Sequence, residues 1–217
     1  MATIYQIHPN NPQARKLEKI EKALRNGAVM LYPTDTVYAI GCDINAKSAV
    51  QRVRQLKRLS NDKPLTFLCP SLSNIAAYAR VSDPAYRIIK HLVPGPYTFL
   101  LPATKLVPKL VMDPKRKTTG IRVPNNQVCL DLLKALDNPV ISTSARLPDE
   151  EESNEYPGKA ELFDRLEKLV DLIVDTGEEL KYQVSTILDF TGESPAIVRE
   201  GLEWETAAAW VSEFSYS

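Results

Sequence analysis

Cysteine is scarce in this sequence, and what there is sits badly for a framework. Cys42, Cys69 and Cys129 are odd in number, far apart and in no C-x-x-C arrangement, so neither a disulfide scaffold nor a thiolate zinc site is implied. Reduced, buried thiols are the expected state. Histidine is scarcer still: His8 and His91 stand in no motif that would orient an imidazole, and no Ser-His-Asp or paired-carboxylate spacing occurs, which leaves hydrolase readings without support. No dedicated metal-ligand set is read. No glycine loop of the G-x-x-x-x-G-K type is present, so a backbone cradle for phosphate is not expected. Charge of one sign is not in excess either, with 27 basic against 27 acidic residues; an argument for nucleic acid has to be local. No apolar run approaches the roughly 20 residues that span a bilayer, and the first residues lack a charged and then apolar leader pattern, so a soluble cytoplasmic protein is expected. What is plentiful is ordinary globular material, 44% hydrophobic and 25% charged, enough for one compact domain with a real core.

Strand-like and helix-like periods alternate along the chain. Thr3 to Ile7 and Ala28 to Tyr32 read as strands around a helix that begins after Pro12, carries Leu17, Ile20 and Leu24, and closes at Asn26-Gly27. A second amphipathic helix is marked by Ala46, Ala49, Val50, Val53 and Leu56, with Arg52, Arg54 and Lys57 on its polar face. Leu65 to Cys69 reads as a buried strand. Ser82-Asp83-Pro84 starts a helix through Ala85, Ile88, Ile89 and Leu92 that Pro94-Gly95-Pro96 ends. Further strands are expected at Tyr97 to Leu101, Gly120 to Val123 and Val140 to Thr143, with a helix through Val128, Leu132, Leu133 and Leu136 before the last. The acidic segment Leu147 to Pro157 reads as a mobile surface loop. A helix (Leu162, Phe163, Leu166, Leu169) and strands at Leu172 to Val174, Val184 to Phe190 and Ala196 to Val198 follow. The pattern predicts an α/β fold with a mixed sheet, one domain over residues 1–203, and a docked helical tail over 204–217 carrying Trp204 and Trp210.

Four segments concentrate polar chemistry. In Leu31-Tyr-Pro-Thr-Asp-Thr-Val-Tyr-Ala-Ile-Gly41 a strand stops at Pro33 and opens into hydroxyls. Asp35 there is either a turn-forming side chain or a contributor to a magnesium site. Lys57-Arg-Leu-Ser-Asn-Asp-Lys-Pro-Leu65 runs a basic helix end into a strand; its cations either complement the helix dipole or hold phosphates. In Lys115-Arg-Lys-Thr-Thr-Gly-Ile-Arg-Val-Pro124, Arg122 lies inside a strand pattern and demands an anionic partner or a sheet face open to water. Val140-Ile-Ser-Thr-Ser-Ala-Arg146 is a strand ending in hydroxyls.

Together with Pro94-Gly-Pro-Tyr-Thr98, Ser185-Thr186 and Val198-Arg-Glu-Gly201, these segments in this order resemble the YrdC-like family across nearly the whole chain. The resemblance implies a twisted mixed sheet with flanking helices and a concave basic face. It also implies the activity of an L-threonylcarbamoyladenylate synthase, a nucleotidyltransferase that takes threonine, bicarbonate and ATP, with Mg, to threonylcarbamoyl-AMP and pyrophosphate for tRNA modification. Carried over, Thr34, Thr36, Tyr38 and Arg122 would bind threonine, and Lys57, Arg58, Ser142, Ser144, Ser185 and Arg199 would bind the nucleotide, Lys57 as the catalytic cation. Two departures point to the YciO branch and to weakened nucleotide handling: Leu59 where the synthases carry arginine, and Arg146 where they carry asparagine. The alternative, from another class, is a non-catalytic binder of double-stranded RNA or tRNA. It would use two basic clusters, Arg52, Arg54, Lys57, Arg58 and Lys63, and Lys109, Lys115, Arg116, Lys117 and Arg122.

Overall fold

A computed structural model describes residues 1–60, 63–148, 157–179 and 182–215. The elements in chain order are β1 (Thr3–Gln6), α1 (Ala14–Arg25), β2 (Met30–Tyr32), β3 (Ala39–Gly41), α2 (Lys47–Leu56), β4 (Thr66–Leu68), α3 (Leu72–Tyr78), α4 (Asp83–Leu92), β5 (Tyr97–Pro102), β6 (Thr118–Arg122), α5 (Gln127–Leu136), β7 (Val140–Ser144), α6 (Lys159–Leu166), β8 (Leu172–Asp175), β9 (Thr186–Asp189), β10 (Ala196–Arg199) and α7 (Trp204–Ser215). The strands form one 10-stranded sheet in the order β1-β8-β2-β3-β7-β4-β6-β5-β9-β10. Pairing is mixed, parallel for β1 with β8 and β4 with β6, antiparallel for β2 with β3 and β5 with β6.

Register explains the two faces. Ile141, Phe67, Ile121, Phe99 and Leu188 stand in one cross-strand row, all at 0% exposure. That row belongs to the larger core, under α2, α3, α4, α6 and α7. Side chains alternate between faces with period two, so the neighbouring row, Ser142, Thr66, Gly120, Leu100 and Asp189, faces the other way. On that second face a smaller core joins Met30, Tyr32, Ala39, Leu68, Val140, Leu172 and Val174 to α1 and α5. Those two helices cover one end of the face. The hydroxyl-bearing end beyond them is the floor of the site.

The expected strands and helices are all present, with boundaries shifted by a residue or two except at α6, which ends at Leu166 and leaves Leu169 outside it. Two elements are additional. The helix α3 starts from Ser71, whose hydroxyl accepts from Asn74 N–H, and β3 is a strand of three residues directly after the threonine-rich loop. The tail helix α7 is docked: Ala207 lies in the larger core and Trp210 stacks on His91 of α4 at 3.9 Å between ring centroids. The expectation of a mobile loop between 147 and 157 falls largely on 149–156, outside the described residues. Among the described residues, no helix is long and apolar enough to cross a membrane.

Candidate functional site

The uncovered end of the sheet floors a cavity of ≈ 340 Å³. It is lined from β7 by Ser142 and Ser144, from β4 by Thr66, from β6 by Arg122, from β5 by Thr98, from β9 and the residue before it by Ile187 and Ser185, and from β10 by Arg199. The loops add Thr34, Thr36, Lys57, Leu59 and Lys63. Among the described residues four cations, Lys57, Lys63, Arg122 and Arg199, line this space and no carboxylate does. Such a lining is built to hold an anion.

Arg122 is the most constrained of the four, 5% exposed at the C-terminal end of β6. Its Nη2 pairs with Asp35 Oδ1 at 2.5 Å, its Nη1 donates to Thr36 Oγ1 at 2.9 Å and its Nε to the Gly95 carbonyl at 3.4 Å. The other Asp35 oxygen accepts from Asn125 N–H at 3.0 Å. The demand for an anionic partner is therefore met from within the loop, with Asp35 as the ion-pair partner. Proton order follows from the hydroxyls. Thr34 Oγ1 donates to the Val37 carbonyl at 2.7 Å, so the 3.0 Å contact between Thr34 and Thr36 uses the Thr36 proton. Thr36 is left as an acceptor toward Arg122 and toward one further donor. A guanidinium has five N–H groups, and the three bonds given above leave two for a ligand among the described residues.

Lys57, 5% exposed, donates from Nζ to the Arg146 carbonyl. Arg199 stands at an irregularity in the β9–β10 pairing and grips the Ser185 carbonyl through Nε and Nη2 at 3.0 and 2.8 Å. Ser185 Oγ meets Thr98 Oγ1 at 2.9 Å. Gly201 makes this arrangement possible, because a Cβ there would stand 2.4 Å from the Val184 carbonyl oxygen.

Of the residues carried over by resemblance, Thr34, Thr36, Lys57, Arg122, Ser142, Ser144, Ser185 and Arg199 meet in this one cavity. Two do not. Tyr38 is 1% exposed, its ring packs edge-on against Phe163 at 5.5 Å, and its hydroxyl has no hydrogen-bond partner among the described residues. Burial, with the charges of Asp175, Glu179 and Glu178 added, raises that phenol well above its ordinary range. The resemblance had put Tyr38 in the threonine pocket, but its apolar ring lies in the larger core. Arg58 is exposed, at φ 47°, beyond the end of α2 and off the cavity wall. Sequence reasoning also missed Thr66 and Thr98 as floor residues. Their signal is a hydroxyl alternating with apolar neighbours, in Leu65-Thr-Phe-Leu68 and Tyr97-Thr-Phe-Leu100.

The two basic clusters lie only partly at the surface: Arg58, Lys63, Lys109, Lys115, Arg116 and Lys117 are exposed. Arg54, Lys57 and Arg122 are buried, which corrects the placement of Arg54 and Lys57 on a polar helix face. Arg52 is bonded through both Nη atoms to Asp171, and Arg116 reaches Asp189. Lys115 and Lys117 precede β6 and Arg122 ends it, so they lie about 13 Å or more apart along the strand. Among the described residues no group of three or more His, Cys, Asp or Glu side chains is placed to hold a metal ion. The three cysteines are buried and free, as expected, and burial pushes the Cys42 and Cys69 thiols up to about 12.

Comparison with known proteins places the family and the fold. The Sua5/YciO/YrdC family model, described as Telomere recombination, matches residues 22–201. An uncharacterised protein of Haemophilus influenzae is 45% identical over 93% of this chain and 96% of its own length. The uncharacterised protein YciO of Escherichia coli is 42% identical over 93% of this chain and 97% of its own. The crystal structure of E. coli YciO matches with a TM-score of 0.86 at 41% identity, covering 93% of this chain and 97% of that one. More distant is a threonylcarbamoyl-AMP synthase of Pyrococcus abyssi, 27% identical over 82% of this chain and 52% of its own length. The crystal structure of P. abyssi Sua5 complexed with L-threonine shares the fold, with a TM-score of 0.83 at 23% identity over 97% of this chain and 62% of that one. With a family model spanning residues 22–201 and relatives above 40% identity over nearly the whole length, this chain belongs to the Sua5/YciO/YrdC family.

Proposed function

We propose that the cavity binds ATP and L-threonine and forms L-threonylcarbamoyl-AMP from them and bicarbonate, releasing pyrophosphate and water. The observation that carries this reading is the lining: among the described residues, four cations, a floor of hydroxyls and no carboxylate. A threonine carboxylate takes the two remaining N–H groups of Arg122, and its hydroxyl or amine meets the acceptor oxygen of Thr36. Phosphates fall to Lys57 and Lys63, with Arg199 and the serines of β7 toward the nucleoside. The carbamate formed on the threonine nitrogen attacks the α-phosphorus, and the bond to the β-phosphate breaks. Positioning and neutralisation of the leaving pyrophosphate are the protein's contribution. The cavity wall does not fit a resident magnesium ion, since its donors are cations and hydroxyls and Asp35 is committed to Arg122. Magnesium belongs in this reading to the ATP substrate.

The synthase in P. abyssi is a relative by sequence, and a Sua5 structure of the same fold holds threonine; both support the choice of amino acid. The test is direct. Purified protein with ATP, labelled bicarbonate and threonine should yield pyrophosphate and a labelled adenylate. Turnover no greater than that of Lys57→Ala would refute the catalytic reading. The alternative, RNA binding without catalysis, is weakened by the burial of Arg54, Lys57 and Arg122, which takes their charges off the surface.

A further inference from the structure

We propose that Arg54 is a positioning residue for the anion-binding wall, fixing the loop that carries Lys57 and Lys63 into the cavity. The proposal rests on the cavity's reading as a phosphate site. Helical periodicity places Arg54 with the solvent-facing cations of α2, yet it is 4% exposed. Its guanidinium is wrapped by the loop that follows its own helix. Nη1 donates to the Lys63 carbonyl at 2.8 Å and to the Leu110 carbonyl at 3.1 Å, and Nη2 donates to the Ser60 carbonyl. The backbone of the same residue closes the helix end: its carbonyl accepts from Leu59 N–H at 2.9 Å while Arg58 N–H reaches the Gln55 carbonyl at 3.0 Å. Those two bonds are the pair that terminates a helix through a left-handed residue. A second strut holds the far end of the loop, where Leu65 N–H donates to the Val111 carbonyl at 2.9 Å.

The consequence lies in what the loop delivers. Lys57, Leu59, Lys63, Pro64 and Leu65 all line the cavity. Of the described residues here, 57–60 and 63–65, none lies in a helix or strand. A planar fork with fixed N–H directions can bind carbonyls from Ser60, Lys63 and Leu110 together, whereas an ammonium on a flexible stem keeps the charge and loses that geometry. Arg54 is not among the residues that line the cavity. It acts through Lys57 and Lys63.

Titration calorimetry with inorganic pyrophosphate and, separately, with L-threonine reads the assignment. Arg54→Lys and Arg54→Gln, each confirmed folded by circular dichroism, should weaken pyrophosphate binding about tenfold or more and leave threonine binding within about twofold, since Arg122 holds the amino acid. Pyrophosphate affinity retained in Arg54→Lys, or an equal loss for both ligands, would overturn the proposal, the second result marking a merely structural role. Should neither variant fold, hydrogen exchange on the wild-type protein decides: pyrophosphate should slow the Leu59 and Lys63 amides, and unchanged exchange there overturns it. Wild-type protein that binds no pyrophosphate defeats the phosphate reading and this assignment with it. Binding of pyrophosphate without any adenylate formation defeats only the synthase reading.

Discussion

Arg122 carries a charge that the interior cannot tolerate alone, and that fact was legible before any coordinates: a guanidinium in a strand pattern needs an anion or water. The structure supplies Asp35, a residue whose type gave no hint of which cation it would meet across 87 positions. The departures at Leu59 and Arg146 are of the opposite kind, visible only against the family pattern. Leu59 lines the cavity in the same loop as Lys57 and Lys63, so Leu59→Arg adds a third cation to the phosphate wall. Arg146→Asn removes a side chain while leaving the carbonyl that receives Lys57. If a lost arginine–phosphate contact, worth about 2–4 kcal/mol in the transition state, limits the rate, the double variant should release pyrophosphate tenfold faster or more. Arg146→Asn alone should not slow the reaction; a loss would mean Arg146 itself reaches the phosphates. Unchanged rates in both variants would mean that neither position governs the chemistry.

At the scale of an element, α2 shows why periodicity located the helix and misjudged its faces. Ala49, Val50 and Val53 are buried as the period requires, but Arg54 sits one step beyond that stripe, where the returning loop covers it. Tertiary chain, not helical period, decides that burial. The same helix ends on Arg58 at φ 47°, a conformation in which a Cβ is disfavoured and glycine is the usual occupant. Arg58→Gly relieves a left-handed strain of about 1 kcal/mol and removes the side chain's own contacts with it, so the denaturant midpoint should move by less than that strain alone would give. Because Arg58 is exposed and not among the lining residues, ATP affinity should stay unchanged. Denaturant midpoints and nucleotide titration check the two halves separately. A fall in ATP affinity would restore Arg58 to the nucleotide site. The short elements β3 and α3 escaped detection for a simpler reason: three residues and seven residues are too few to display a period.

The whole molecule is one sheet serving two cores, and this sets how it opens. Adjacent residues of single strands belong to different cores: Phe67 and Ile141 to the larger, Leu68 and Val140 to the smaller, and likewise Leu31 against Met30 in β2 and Ile173 against Leu172 in β8. Alternation in the sequence made each strand's two-sidedness legible, but not the strand order, because crossovers such as β1 beside β8 join residues far apart in the chain. Peeling α1 and α5 away would leave the apolar side of these shared strands in water, so neither core should open without the other. The cysteines report on this. Cys42 and Cys69 lie in the larger core and Cys129 in the smaller, where its Sγ meets the Pro33 carbonyl at 3.2 Å. Burial raises all three thiols, Cys42 and Cys69 to about 12 and Cys129 further, so near neutral pH almost none is thiolate in the folded protein. A disulfide reagent should therefore label the native protein only through global opening, with the three thiols reacting at one common rate that rises with denaturant. Peptide mapping of the labelled sites would separate them. Faster labelling at Cys129 than at Cys42 and Cys69 would show the α1/α5 layer opening by itself and would break the link between the two cores.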